Sequence, residues 1–265
     1  DKLQLGNKIS WIKSINANYE IGIDGISLPL LILSTFITVL AIIYSIEHLP
    51  EPKSPKGFLA LILVLETGMN GTFVALDLIL FFVFFEIVLL PMYFMIGIWG
   101  DKTVRTVAGF KNQIETRLYA SIKFFVFTLF GSAFMLLGFL GLYYRGNRTF
   151  SIPELIELGT NGAFTGTFAM LVFAVLFLGF AVKVPMWPLH TWLPDAHTAA
   201  PTVGSVLLAA ILLKLGSYGF VRIAIPILPE QAKAWAPAIA ILSAIGIIYG
   251  SLACLAQTDL KRLIA

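Results

Sequence analysis

Thr167-Phe-Ala-Met-Leu-Val-Phe-Ala-Val-Leu-Phe-Leu-Gly-Phe-Ala-Val-Lys183 is an apolar run that ends on a charge, and Val184-Pro-Met-Trp-Pro188 follows it. The run approaches the ~20 residues a helix needs to cross a bilayer. An ammonium at the centre of such a helix costs about 2.5–3.5 kcal/mol on insertion scales. Each proline removes a backbone donor and clashes with the preceding turn. Non-helical backbone is tolerated at membrane depth only where protein buries it or water reaches it. A lysine beside a broken helix therefore points to an ion or proton path.

The rest of the chain agrees with a membrane setting. Its 265 residues are 58% hydrophobic and 12% charged, with a mean hydropathy of +0.89; soluble domains carry about 25% charged residues. The net charge of +3 is too small to argue for nucleic acid. The single cysteine, Cys254, lies in an apolar stretch and excludes a disulfide framework. It is read as a small buried hydrophobe. No signal peptide is visible, and the chain is read as a piece of a longer protein.

Outward from the opening stretch, hydropathy predicts seven spans. Residues 1–27 are mixed and extramembrane, with Trp11 and Tyr19 as interfacial anchors. Leu28 to Tyr44 is the first span, in a segment 28–57 closed by Pro50–Pro55. Phe58 to Ala75 is the second, and Asp77 to Trp99 the third, joined so tightly that they must form a hairpin. Tyr119 to Tyr144, Thr167 to Val182, Ala199 to Ile223 and Trp235 to Leu255 complete the set. Residues 184–198 are expected to be irregular. If the spans alternate sides, nine basic residues collect on one side and seven on the other. The cluster Lys102, Arg105, Lys111, Arg117 and Lys123 places its loop in the cytoplasm.

Three ionisable residues stand alone in apolar sequence: Glu86 within Phe81-Phe-Val-Phe-Phe-Glu-Ile87, Lys183, and Lys214 in the sixth span. Burial sets the charged form of each against its neutral form. A carboxyl there is expected to be neutral or paired, and interacting groups share their protons as a set. The small residues of the sixth span allow close helix approach, and Lys214 is expected in the bundle interior. His190 and His197 flank the break, and a histidine there can relay a proton; a plain interfacial histidine is the alternative. Glu66 lies inside the second span, facing either a polar cavity or its neighbours. Asp195 follows Pro194 and is read as a helix cap, and Asp77 as a helix N-terminus. No nucleotide loop, metal-ligand cluster, haem or iron–sulfur spacing occurs in the sequence.

At these residues the chain resembles the antiporter-like subunits of respiratory complex I, within them the M-chain group (subunit 4 in mitochondria). The strings that carry the resemblance are Asp77-Leu-Ile-Leu-Phe-Phe-Val-Phe-Phe-Glu-Ile-Val-Leu-Leu-Pro-Met-Tyr93, Phe180 to His197, Ala200-Pro-Thr-Val-Gly-Ser205 through Lys214, and Gln257-Thr-Asp-Leu-Lys-Arg-Leu-Ile-Ala265. The resemblance implies an all-α polytopic membrane protein, an antiporter-like bundle with a broken transmembrane helix. It implies a complete first five-helix proton-translocating repeat over 58–222 and a truncated second repeat over 223–265. It implies that Glu86 is the channel glutamate, Lys183 its partner and Lys214 the next lysine of a polar axis. His190 is added as a relay, with His197 and Glu66 as lesser candidates.

The same resemblance implies NADH–quinone oxidoreductase as the host complex. NAD, FMN, iron–sulfur clusters and quinone would then belong to partner subunits, with no redox centre in this chain. Its partners would be the sister antiporter-like chains and membrane lipid, in a cell inner membrane, with no nucleic acid. A subunit of a multi-subunit cation/proton antiporter shares these motifs. A ferredoxin-linked or hydrogenase-linked relative does too, and a purely structural subunit that keeps its charges for assembly is a rival of another class.

Overall fold

Close contacts at glycines bring the helices together in a computed structural model that describes residues 3–105 and 113–264. Lys2 and Lys111, counted in the charge balance above, lie outside the described residues. The N-terminal segment, read as extramembrane, is an antiparallel hairpin of β1 (Gln4–Ile12) and β2 (Ala17–Ile23). Asn16 turns it with φ 52°, a left-handed conformation that asparagine tolerates.

Asp77 fastens that hairpin to the bundle. Its carboxylate accepts from the backbone N–H groups of Ile79 at 2.9 Å and Leu80 at 3.2 Å, and from that of Asn18 at 2.9 Å. The first two bonds cap the third span as the sequence suggested; the third ties β2 to it. Burial nonetheless pushes the Asp77 carboxyl above its usual range, outweighing those three donors.

Among the described residues, seven helical spans are long and apolar enough to cross a membrane. They are α1 (Ser27–Glu47), α2 (Pro55–Val74), the pair α3 (Leu78–Ile87) and α4 (Leu89–Trp99), α5 (Thr116–Arg145), α7 (Gly166–Lys183), the sixth span Thr202–Ile227, and α12 (Pro229–Leu255). The α3–α4 join falls at Val88 because Pro91 offers no N–H to the Ile87 carbonyl. Two short strands, β3 (Val104–Arg105) and β4 (Ile114–Glu115), precede α5. The short α6 (Ile152–Thr160) lies on the hairpin side, where Lys8 bridges Glu20 at 3.3 Å and Glu154 at 2.8 Å.

The residues after Lys183 are irregular only as far as Thr191. Helix resumes as α8 (Trp192–Ala199), so the expectation of irregular chain to 198 is corrected. The two proline rings that end α7 are followed by a stretch with no such obstacle past Pro194, which sits in the first turn where its missing N–H costs nothing. The sixth span is built of α9 (Thr202–Leu207), α10 (Leu213–Gly219) and α11 (Ile225–Ile227), joined by wider π-type turns at Leu208–Leu212 and Phe220–Ala224. After α12 comes α13 (Leu260–Ile264).

Membrane helices gain little from hydrophobic burial against one another and associate through close packing. Here α5 and α7 approach through Gly131 and Gly179. A methyl group on Gly179 would lie 2.7 Å from Met135 Cβ and 2.9 Å from the Gly131 carbonyl. That close seam sets the height at which Lys183, one turn beyond Gly179, meets α3. Around it Phe81, Phe85, Phe139, Phe180 and Tyr218 pack ring on ring. By contrast α12 buries only Gln231.

Candidate functional site

Lys183 is 2% exposed, and its Nζ has no hydrogen-bond partner. The ammonium lies 4.8 Å from the centroid of the Phe85 ring, whose negative face attracts a cation. Glu86, next along α3, is half-buried, and its Oε1 is also without a partner. The two charges act on each other, yet among the described residues no direct ion pair joins them. Ser132 on α5 lies beside the carboxyl, its hydroxyl donating to the Leu129 carbonyl at 3.1 Å. The fold thus holds a lysine and a glutamate near each other with unused hydrogen-bonding capacity. A buried polar atom without a partner is uncommon, and here two lie close to each other.

Trp192 explains how the interruption is sealed. Its indole N–H donates to the Val182 carbonyl at 3.0 Å, and the side chain is fully buried. A carbonyl freed by the end of α7 is satisfied by the first residue of α8. Sequence reading gave Trp192 no such role. Only the spacing of ten residues across a proline-rich turn could have hinted at it.

Lys214 departs from expectation. It is exposed, and its ammonium donates to the Ala209 carbonyl at 2.7 Å. The reason is helical phase. Gly216 lies on the face of α10 that meets α7: a methyl there would lie 3.0 Å from Lys183 Cβ and 3.1 Å from the Phe180 carbonyl. Lys214 is two positions earlier, about 200° around the helix, so it points away from α7. The structure therefore brings Glu86 and Lys183 together and leaves Lys214 on the far face of its span.

His190 lies in the interruption, half-buried, with Nδ1 unpartnered and its ring edge-on to Tyr249 at 5.3 Å. It borders a cavity of about 460 Å³ between the interruption and α12, whose wall includes Ser243, Gln257 and Arg262. His197 is 7% exposed in α8, and its carbonyl accepts from the Ser205 hydroxyl at 3.1 Å. Glu66 is half-buried on α2 with no partner among the described residues, one turn from Asn70, whose Oδ1 is also unpartnered. Asp195 makes no cap. It pairs with Lys123 of α5 at 2.8 Å, which corrects the capping assignment. Cys254, expected to be buried, is exposed because α12 has so little packed against it. No three His, Cys, Asp or Glu residues converge on a metal-sized site among the described residues.

Comparison with known proteins adds to this geometry. The family model described as NADH:quinone oxidoreductase/Mrp antiporter, TM, matches residues 75–265. A second, described as NADH-ubiquinone oxidoreductase chain 4, amino terminus, matches residues 3–72. NADH-quinone oxidoreductase subunit M of Rickettsia bellii is 42% identical over 266 residues, covering 99% of this chain and 49% of the relative. NADH-ubiquinone oxidoreductase chain 4 of Marchantia polymorpha is 42% identical over 264 residues, covering 100% and 50%. A chain of respiratory complex I from Thermus thermophilus with bound NADH superposes with a TM-score of 0.81 at 29% identity, over 98% of this chain and 50% of that one. The chain spans about half the length of the curated relatives it matches. It is a multi-pass membrane protein that belongs to the family of NADH:quinone oxidoreductase and Mrp antiporter transmembrane subunits.

Proposed function

We propose that the chain is the proton-translocating part of a membrane subunit of an NADH–quinone oxidoreductase. The observation that carries the proposal is Lys183: an ammonium 2% exposed, with no hydrogen-bond partner, over the Phe85 ring and within reach of the charge of Glu86. Such a lysine is held charged only by its surroundings, so a change in those surroundings moves its proton. Residues 58–222 act as one translocating repeat, and 223–265 open the next.

The mechanism is electrostatic switching. When Glu86 swings toward Lys183, the opposite charge holds the proton on Nζ. When Glu86 turns away toward a neighbouring subunit, the desolvated ammonium gives its proton to water in the interruption, with His190 as relay. Lys214 receives it next. Because Lys214 points away from α7, that transfer runs through intervening water and not by direct contact. His197 and Glu66 take lesser parts. The redox groups, which are NAD, FMN, iron–sulfur clusters and quinone, sit in partner subunits, and this chain supplies none of their ligands. Sister antiporter-like chains flank it in an energy-converting inner membrane.

The name of the matched family also covers Mrp antiporters. A subunit of a multi-subunit cation/proton antiporter is therefore the second reading, and it uses the same Glu86–Lys183 chemistry.

The test is Lys183→Ala in the full-length subunit within its complex, in sealed membrane vesicles. Proton pumping driven by NADH is expected to be abolished while the complex remains assembled. Normal pumping in that variant sinks the proposal. Proton movement driven by a sodium gradient, with no response to NADH, favours the antiporter reading.

A further inference from the structure

Tyr218 of α10 is 2% exposed, and its ring begins an aromatic stack that ends at Lys183. The Tyr218 ring stacks on Phe81 at 6.4 Å and 23°, and Phe81 stacks on Phe85 at 5.7 Å and 25°. The Lys183 ammonium lies 4.8 Å from the Phe85 centroid. At these separations aromatic rings attract one another and a ring face holds a cation. Edge-on rings brace the stack: Phe73 against Tyr218 at 86°, Phe139 and Phe180 against Phe81 at 76° and 88°, and Phe180 against Phe85 at 74°.

The far end of the stack is polar. The Tyr218 hydroxyl donates to the Phe73 carbonyl at 2.8 Å and accepts from Arg222 Nε at 2.9 Å. Phe73 lies in the last turn of α2, where carbonyls have no donor within their own helix. Arg222 is itself held by Asp24 through two bonds of 2.7 Å, and its guanidinium stands 5.3 Å from the centre of the Tyr218 ring. Filling volume would need only the ring. The hydroxyl, used as donor and as acceptor, ties that ring to α2 and to Arg222 together. The tie matters at the other end because an aromatic face is negative and its edge positive. A Phe85 ring free to tilt would turn its edge to the ammonium.

We infer that Tyr218 is a positioning residue for Lys183. Its anchored hydroxyl holds the Tyr218–Phe81–Phe85 stack so that the face of Phe85, and not its edge, meets the ammonium. Tyr218 acts through Phe81 and Phe85 and passes no proton itself. The inference rests on the proton-translocating reading above.

The charged group whose field acts on Lys183 is Glu86 on α3. Of the other elements packed on α7, α5 carries Arg145 over the Phe168 ring and Lys123 paired with Asp195. The sixth span brings Arg222 to Tyr218 and leaves Lys214 exposed, and α12 brings Tyr249 to His190. Tyr218→Phe leaves all these charges in place.

In the assembled complex with the full-length subunit, Tyr218→Phe keeps the ring and removes both hydroxyl bonds. Loss of the Phe85 face disfavours a charged lysine, so the midpoint of pumping against pH is expected to move toward acid. Phe85→Leu removes the face outright and moves the midpoint further, by about one unit. The double variant sits with Phe85→Leu alone, because Tyr218 acts through that ring. Quinone reduction, measured in uncoupled vesicles, keeps its own profile. Should Tyr218→Phe fail to assemble, Arg222→Lys carries the same test: it keeps the charge facing Asp24 and loses the Nε bond to the hydroxyl. An unshifted midpoint, or shifts that add in the double variant, overturn the inference. Lys183→Ala measured in parallel separates the two failures. Pumping that survives it overturns the proton-translocating reading itself; pumping lost there, with an unshifted midpoint in the tyrosine variant, overturns only the role of Tyr218.

Discussion

The Lys183 ammonium lies over the face of the Phe85 ring, 4.8 Å from its centroid, one residue before Glu86. Aromatic ring and carboxyl therefore compete for one cation from adjacent positions on α3. A desolvated cation–π contact contributes about 2 kcal/mol, comparable to a hydrogen bond with a charged group. Neither holds the lysine outright.

Phe85→Leu keeps an apolar side chain and removes the ring face. Proton pumping per NADH oxidised is expected to fall several-fold, with the complex assembled. Vesicle pumping measured beside NADH oxidation checks it.

Trp192→Phe keeps the ring packed against Phe124 but loses the bond to the Val182 carbonyl. An unsatisfied buried acceptor costs about 1–3 kcal/mol. Thermal unfolding in detergent should show a lower midpoint, and the loosened interruption should leak protons in the absence of NADH.

Gly219→Ala places a methyl group inside the ring of Phe180, itself fully buried. Overpacking of this kind costs about 1–3 kcal/mol. Gly246→Ala on α12, with nothing within 4 Å of the added carbon, is the control and should stay near wild type. Unfolding midpoints of the two variants decide the point.

Arg222 grips Asp24 with two bonds of 2.7 Å, fastening the hairpin side of the sixth span to the start of α1. That guanidinium holds the Asp24 carboxyl well below its usual value of 3.8. The clamp therefore contributes its full stability above that value, loses it progressively below, and has lost it once pH has fallen through the depressed one. Asp24→Asn should cost about 1–3 kcal/mol at neutral pH. The gap between variant and wild type should stay constant down to the ordinary carboxylate value of 3.8 and narrow progressively below it, as unfolding measured against pH would show.

Much of this was legible in the chain. The spans follow from hydropathy because lipid demands long apolar runs and internally satisfied backbone. Pro185 and Pro188 mark the end of α7 because proline acts locally. Lys183 and Glu86 stood out because a charge in an apolar run is costly whatever surrounds it. Asp195 was misread because a residue just after proline looks like a cap, and nothing local reveals a partner seventy-two positions away. The helix of Trp192–Ala199 was missed because prolines and tryptophans look irregular when the tertiary carbonyl they seal is unseen. Lys214 was placed inward because its depth along the helix is a sequence property, whereas its facing is not.

By itself the sequence determined which segments can cross a membrane, where the backbone breaks, and which side chains are too costly to be incidental. These are one-dimensional properties, set by transfer free energies and by the covalent geometry of proline. Only the tertiary structure decided which of those charges meet. The Gly131–Gly179 seam and the contact of Gly216 with Lys183 set the height and rotation of three helices. That rotation brings Lys183 within reach of the charge of Glu86 and turns Lys214 away.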